Sequence, residues 1–196
     1  MRVIGGVARG RRLEAPAGWT VRPTGARLRE SAFGILEHRG AIERARVLDL
    51  WAGTGALGIE ALSRGARELV AVEAARDAVR CLEANLAHCD LRLRALVLER
   101  TVEQALVYLR AREPFDLVLA DPPWAVEDAL AEALGLLVAG GLVTPGGLVA
   151  VEHPAARPLP VVDGLACVRD RRQGRGAFGL YAPMRAAAPL AQKMRE

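Results

Sequence analysis

From residue 46 onward, short apolar runs alternate with segments of helical period. VLDL (47–50), ELVAVE (68–73), LRLRALVL (91–98), FDLVLAD (115–121) and GLVAVEH (147–153) are nearly continuous in apolar residues. That is the pattern of strands buried on both faces. The segments between them predict helices over about 56–64, 75–88, 101–111 and 126–138. Alternation of this kind specifies an α/β fold, a Rossmann-like parallel sheet with helices on both faces. Near the end, LACVRDRRQGRGAFGLYAP (165–183) offers two strand-like pieces around a glycine turn, a hairpin that closes the sheet.

Residues 1–45 break the alternation. VIGG (3–6) and GRRL (10–13) read as short strands joined by a glycine turn, and residues 26–38 as a helix following Pro23-Thr24. The segment is too small to hold its own core, so it is expected to be a β/α appendage on a domain spanning 46–185. The tail 186–196 carries little pattern and is expected to fray. Residues 133–151 contain no charge, but five glycines and Pro145 interrupt them. They read as helix end, turn and buried strand rather than as a membrane span.

Composition narrows the class. With 52% hydrophobic and 26% charged residues the chain can bury a core, which excludes intrinsic disorder, a collagen-like fibre and a disulfide scaffold. Cys81, Cys89 and Cys167 make an odd count without a C-x-x-C pair, and no histidine stands at ligand spacing. A reducing cytoplasm and no metal site are expected. The opening MRVIGGVARGRR lacks the apolar stretch of a signal peptide. The formal charge of +4 is unevenly distributed: residues 1–30 hold seven arginines against two glutamates, so the remainder sums to about −1.

VLDL runs into WAGTGALG, where Gly53, Gly55 and Gly58 form G-x-G-x-x-G between strand and helix. Such glycines permit a tight turn and bring a ligand close to the helix N-terminus. Glu73 ends the next strand, twenty residues after Gly53, where an acidic side chain can accept from ribose hydroxyls. Together they point to an adenosine-containing ligand. Asp49, four residues before the first glycine, would repel a pyrophosphate and attract a cation. S-adenosylmethionine carries an ammonium and a sulfonium and no phosphate, so it fits D-x-x-A-G-T-G, with Ala52 in the turn, better than NAD does.

Asp121-Pro122-Pro123-Trp124 follows the strand FDLVLA directly, at the carboxyl edge of the sheet where open α/β folds place ligands. Two consecutive prolines donate no N–H, so this corner presents acceptors, the Asp121 carboxylate and the carbonyls of Asp121 and Pro122. An exocyclic amino group on a nucleobase is a poor nucleophile, because its lone pair is delocalised into the ring. Acceptors gripping its hydrogens favour a more pyramidal nitrogen and offset the positive charge that develops on methylation. Trp124 would stack on the base, which demands a flipped-out nucleotide.

The combination resembles the class I S-adenosylmethionine-dependent methyltransferases of the amino-group type, marked by (D/N/S)-P-P-(Y/F/W). More narrowly, VIGGVARGRRL (3–13), VRPTGARLRESAF (21–33), LDLWAGTGALGIEALSRGA (48–66), VAVE (70–73) and DPPW resemble the bacterial RsmD-type methyltransferases, which modify N2 of a guanine in 16S ribosomal RNA. The resemblance spans residues 2 to about 182. It implies a seven-stranded, mostly parallel sheet whose last strand is antiparallel, and a target presented by the small ribosomal subunit or its assembly intermediate. It further implies that Asp49, Gly53 and Gly55 hold the methionine part of the cofactor, Glu73 the ribose, and Asp121 to Trp124 the base. Two departures stand out: ERTVEQAL leaves Thr101 or a backbone group for the adenine, and R-P-T-G-A-R lacks an acidic helix start.

Arg9, Arg11 and Arg12 in a glycine-flanked loop, with Arg22, Arg27 and Arg29, are placed to bind RNA phosphates. Arg169, Arg171, Arg172 and Arg175 form a second cluster that would extend that surface. His38, His88 and His153 have no partners readable from spacing, and Glu152 ends its strand either as pocket lining or as a strand-end charge. A monomer is expected. The alternatives are an adenine-N6 methyltransferase acting on DNA or RNA, a non-catalytic RNA-binding assembly factor, and an NAD-linked oxidoreductase. The first would need room for a target-recognition region, the second conflicts with intact Asp49, Glu73 and Asp121, and the third with Asp49.

Overall fold

The computed structural model describes residues 1–16, 25–124 and 128–184. Arg22, Pro23-Thr24 and the 186–196 tail lie outside the described residues. The elements in chain order are α1 (Gly25–His38), β1 (Arg46–Leu50), α2 (Ala56–Ser63), β2 (Glu68–Glu73), α3 (Arg76–His88), β3 (Ala95–Glu99), α4 (Val102–Leu109), β4 (Phe115–Ala120), α5 (Ala129–Ala139), β5 (Val143–Pro154), β6 (Leu165–Gln173) and β7 (Gly176–Pro183). Seven strands form one sheet in the order β3-β2-β1-β4-β5-β7-β6. β1 to β5 pair in parallel, and β7 enters antiparallel between β5 and β6. The winding reverses between β1 and β4, which opens a crevice at their carboxyl ends.

The apolar runs form buried strands because both sheet faces are covered. Val47, Leu117, Leu119 and Ala150 point into one layer with Phe33 and Leu36 of α1, Ile59 and Leu62 of α2, and Leu82 and Leu86 of α3. Leu48, Leu50, Val118 and Val149 point the other way, against Leu106 and Leu109 of α4 and Leu134 and Leu137 of α5. Each fully buried side chain of this size contributes about 1.5–3 kcal/mol over its exposed state. The uncharged stretch after residue 133 is helix end, turn and strand, as its glycines predict. Among the described residues no helix is long and apolar enough to cross a membrane.

Three local expectations change. LRLRALVL is not one strand: Arg92–Arg94 form a single 3-10 turn with Leu93 fully exposed, and β3 begins only at Ala95. The two N-terminal strands shrink to one antiparallel bridge, Arg2 to Arg12, closed by the Val3 N–H to Arg11 O (3.0 Å) and the Gly10 N–H to Val3 O (2.9 Å). β5 starts four residues early, at Val143, and a register shift against β4 between Phe115 and Leu117 absorbs the addition.

The N-terminal segment is fastened to α2 and α3 rather than standing apart. Ile4 and Gly5 each donate a backbone N–H to the Glu60 carboxylate at 2.8 Å. The Ala8 N–H donates to Ser63 Oγ at 2.9 Å, and Asn85 exchanges hydrogen bonds with the Glu14 backbone. Gly6, at φ 74°, passes so close to α2 that a Cβ there would lie 1.7 Å from the Ser63 carbonyl oxygen. Val3, Ala8 and Leu13 join the same hydrophobic layer as α1 to α3.

Candidate functional site

A cavity of about 660 Å³ opens at the carboxyl ends of β1, β2, β4 and β5. Its walls come from Asp49 and the loop after β1, Glu73, Asp121 to Pro123 and Glu152, with Met1 to Ile4 and Arg29 closing the far side. The sheet therefore brings together Asp49, Ala52, Gly53, Glu73, Asp121 and Pro122, which lie up to 73 residues apart.

Asp49 is 1% exposed. Its Oδ2 accepts the Gly58 N–H at 2.9 Å, tying the carboxylate to the first turn of α2. Its Oδ1 is buried and has no hydrogen-bond partner among the described residues. Burial pushes the carboxyl up to about 8, helped by the nearby charges of Asp121 and Glu73 and opposed by the Gly58 hydrogen bond. The residue is at once a turn anchor and a cavity wall, and its free oxygen is an acceptor awaiting a donor or a cation.

The loop after β1 is held open by its neighbours. Trp51 adopts φ 56°, a left-handed conformation that costs a non-glycine residue about 1–3 kcal/mol and that only firm surroundings maintain. Those surroundings are hydrogen bonds from the Ala52 N–H to Val72 O (2.9 Å) and from the Gly53 N–H to Glu73 Oε2 (2.8 Å). Glu73 Oε1 accepts the Ala75 N–H at 2.8 Å. Each carboxylate oxygen keeps a further lone pair for a ligand. Gly55 caps α2 at φ 87°, where a Cβ would come within 2.3 Å of Leu82.

The Asp-Pro-Pro-Trp corner follows β4 as expected. The Asp121 N–H donates to Leu50 O at 3.4 Å, seating the corner against the end of β1. Pro122 is buried and Pro123 exposed, and both line the cavity with Asp121. Trp124 does not line the cavity; it lies beside the start of β7, where a Cβ on Gly176 would be 3.8 Å from its indole and 3.7 Å from Glu152 Oε1. Glu152 thus lines the cavity, the first of its two sequence readings.

Several residues lie elsewhere. Thr101 caps α4 in a reciprocal arrangement with Gln104, and it does not line the cavity. Arg29 is a correction: it is 6% exposed, and its guanidinium donates to Arg2 O (2.8 Å) and Met1 Sδ (2.7 Å), so it braces the cavity wall instead of reaching solvent phosphates. Burial lowers its pKa, while Glu60 and Glu152 act in the opposite direction. Arg11 is committed to Asp90 (2.7 Å) and to the His88 carbonyl. Arg9, Arg12 and Arg27 are exposed, and Arg22 lies outside the described residues. His153 is buried against Asp170 at 3.1 Å. The cavity-facing role of Arg29 has a sequence signal, since it stands at i, i+3, i+4 and i+7 with Ala32, Phe33 and Leu36 of the buried face. Nothing in the sequence marks Met1 to Ile4 as a wall. Among the described residues no group of three or more His, Cys, Asp or Glu could hold a metal ion.

A family model described as Conserved hypothetical protein 95 matches residues 1–182. The chain is 34% identical over 183 residues to YlbH of Bacillus subtilis strain 168, covering 92% of this chain and 98% of that protein. It is 35% identical over 183 residues to ribosomal RNA small subunit methyltransferase D of Escherichia coli strain K12, covering 92% and 89%. A solved structure of a hypothetical protein from Thermus thermophilus matches with a TM-score of 0.80 at 37% identity, covering 94% of this chain and 99% of that one.

Proposed function

The chain belongs to the Conserved hypothetical protein 95 family, and on that premise we propose that it transfers a methyl group from S-adenosylmethionine to the exocyclic N2 amino group of a guanine in 16S ribosomal RNA. The observation that carries the reading is one cavity holding two different carboxyl environments: the buried Asp49, one oxygen of which has no partner among the described residues, and the Asp121-Pro122-Pro123 corner rich in acceptors. Similarity to small subunit methyltransferase D supports the ribosomal substrate.

The residues present fit the cofactor. Asp49 Oδ1 offers a buried acceptor with no partner among the described residues, and an ammonium bound beside it would favour the ionised carboxylate. Asp49, Ala52, Gly53 and Gly55 would hold the methionine part and Glu73 the ribose. With Thr101 committed to its cap, backbone groups after β3 are left for the adenine. When bound, S-adenosylmethionine supplies an electrophilic methyl on a positively charged sulfur.

The chain's own residues prepare the acceptor. Asp121 and the Pro122 carbonyl take the amino hydrogens, which aims the nitrogen lone pair and stabilises the positive charge that develops on it. Neither proline offers an N–H to compete with the amino group as donor. Trp124, next after the cavity-lining Pro123, stacks on the flipped base. Arg9, Arg12 and Arg27 meet backbone phosphates, with a contribution from Arg22, and Arg11 adds to the same surface from its pairing with Asp90.

The test incubates the protein and labelled cofactor with small subunits lacking the modification and maps the methylated nucleotide by mass spectrometry. Label on guanine N2 is expected. Label only on adenine would replace the guanine assignment by adenine N6, and no label on any RNA would remove the methyltransferase reading.

A further inference from the structure

The second arginine cluster has no part in the chemistry above. Arg169 and Arg171 lie on β6, the exposed edge strand, two residues apart. They therefore project from one face of the sheet with a rise of about 6.6 Å between them. Together with Ser31, Gly34, His38 and Arg39 of α1 they line a cleft of about 690 Å³.

Strand register locates this cleft relative to the cavity. Arg171 pairs with Phe178, and Phe178 pairs with Glu152, which lines the cavity. Directly opposed residues of antiparallel strands share a face, so Glu152, Phe178 and Arg171 form one row across the sheet. At about 4.8 Å per strand, the backbone of Arg171 stands roughly 10 Å from the cavity wall. Arg169, opposite Leu180, begins the next row back from the site. Helix α1 spans both features: Gly25 and Arg29 line the cavity, while Ser31 to Arg39 line the cleft. The cleft continues the rim of the site along α1.

Its arginines stand apart from the ion pairs of the described residues. Among the described residues, none of Arg39, Arg169 and Arg171 takes part in an ion pair, whereas Arg11, Arg46, Arg64, Arg67, Arg80 and Arg92 all do. The acidic neighbour Asp170 alternates to the opposite face and is taken by His153 at 3.1 Å. Two forked donors in register, with a third across the cleft, match an anion whose charges repeat along a chain. With Arg171 roughly 10 Å from the cavity wall, the cleft lies within reach of the strand on either side of a base in the cavity, which favours nucleic acid over an acidic polypeptide.

We propose that the cleft between α1 and β6 is a second RNA contact, in which Arg39, Arg169 and Arg171 hold the sugar-phosphate backbone flanking the target nucleotide. The proposal rests on the reading that the chain methylates RNA. It also gives the exposed arginines of β6 a role beyond keeping an edge strand from pairing with another chain.

The experiment measures binding of the full chain to transcribed small-subunit ribosomal RNA between about 50 and 200 mM salt. Replacing both residues, Arg169→Gln with Arg171→Gln, is expected to lower the slope of log affinity against log salt by about 1.4–1.8. It should also raise the KM for RNA about tenfold or more, with kcat and cofactor affinity unchanged. The pair Arg169→Lys with Arg171→Lys retains the slope, which separates lost charge from a disturbed strand. An unchanged slope in the glutamine variant overturns the proposal. So does a slope unchanged on naked RNA combined with lost turnover on assembled subunits, which would assign the cleft to an acidic protein instead. If the wild-type chain methylates no RNA yet its binding still depends on these arginines, the catalytic reading falls and the contact stands.

Discussion

Glu73 Oε2 accepts the Gly53 N–H at 2.8 Å, so the carboxylate at the end of β2 holds the glycine loop at the end of β1. Its other oxygen holds the Ala75 N–H before α3. A residue that served only the ribose would lose one ligand contact when truncated, whereas this one also releases the loop. Glu73→Ala is expected to weaken cofactor binding about 30-fold or more, from charged hydrogen bonds contributing about 1.5–3 kcal/mol each. Glu73→Gln, which keeps one acceptor, should retain part of the affinity. Titration calorimetry decides; equal losses in the two variants would count against the loop-holding role.

The second expectation concerns pH. Asp49, raised to about 8 from an ordinary 3.8, stays protonated in the folded protein where the unfolded chain would ionise. The folded state therefore binds the extra proton between about pH 4 and 8, and this residue's contribution to stability falls as pH rises through that window. Asp49→Asn should flatten the decline in melting temperature. A cationic ligand selects the ionised form, so cofactor affinity is expected to rise up to about tenfold per pH unit below 8 and to level above it. Proton release on binding at pH 7, read by calorimetry in two buffers of different ionisation enthalpy, checks the same point. Binding without proton release contradicts it.

Asp121→Ala should lower turnover by about a hundredfold or more, the scale of losing a preorganised electrostatic partner. Cofactor affinity should stay within about twofold, because Asp49 and Glu73 remain. Single-turnover kinetics beside equilibrium binding separates the two. A matching loss in both would mean that Asp121 serves the cofactor.

Glu60 is 1% exposed and accepts from Ile4, Gly5 and Arg64. Glu60→Ala leaves the Ile4 and Gly5 N–H groups without this acceptor, while Arg64 keeps Glu37 at 2.6 Å, at a cost of about 1–3 kcal/mol for each unmet donor. For a chain of this size that lowers the melting temperature by about 10 °C. Residues 1–16 should become the first site of limited proteolysis, and cofactor affinity should fall because Met1 to Ile4 wall the cavity. Unchanged proteolysis would mean that the apolar contacts of Val3, Ala8 and Leu13 suffice.

Arg9→Ala with Arg12→Ala should reduce the salt slope of RNA binding by about 1.4–1.8. Arg11→Ala should change it less, because its guanidinium is already paired with Asp90 at 2.7 Å. A loss from Arg11→Ala equal to half that of the double variant would mean that RNA displaces that ion pair.

The sheet was legible wherever one period ruled. VLDL, ELVAVE and FDLVLA became β1, β2 and β4 within a residue, because strands apolar on both faces leave no competing pattern. It was not legible at Arg92–Arg94, where alternation imitated a strand although a loop tip exposes Leu93. At the site, Asp49, Gly53, Glu73 and Asp121 were readable from spacing, since β1, β2 and β4 deliver their last residues to one edge. At Thr101 the sequence does not separate two roles, because a side chain that caps a helix and one that meets a ligand leave the same mark; the structure shows the cap. Arg29 was counted by charge, while helical phase places it beside Ala32 and Phe33 and turns it inward.

The walls of the cavity are drawn from residues 1–4, 15, 25, 29, 49, 51–54, 56–57, 73, 121–123 and 152. These segments are far apart in sequence: the later ones end or follow β1, β2, β4 and β5, residues 25 and 29 come with α1, and the first is fastened by hydrogen bonds spanning 55 and 56 residues. A folding intermediate with β1 to β4 assembled but β5 undocked would lack the Glu152 wall, and one with the N-terminal segment undocked would lack another. Ligand affinity then belongs to the last cooperative step rather than to any subassembly. By mass action a saturating cofactor pulls the population toward complete closure, by about 2.7 kcal/mol at a hundred times its dissociation constant. Occupancy of this pocket therefore reports that the N-terminal segment, α1 and the ends of β1, β2, β4 and β5 have come together, which makes ligand-induced protection from unfolding a direct assay of that assembly.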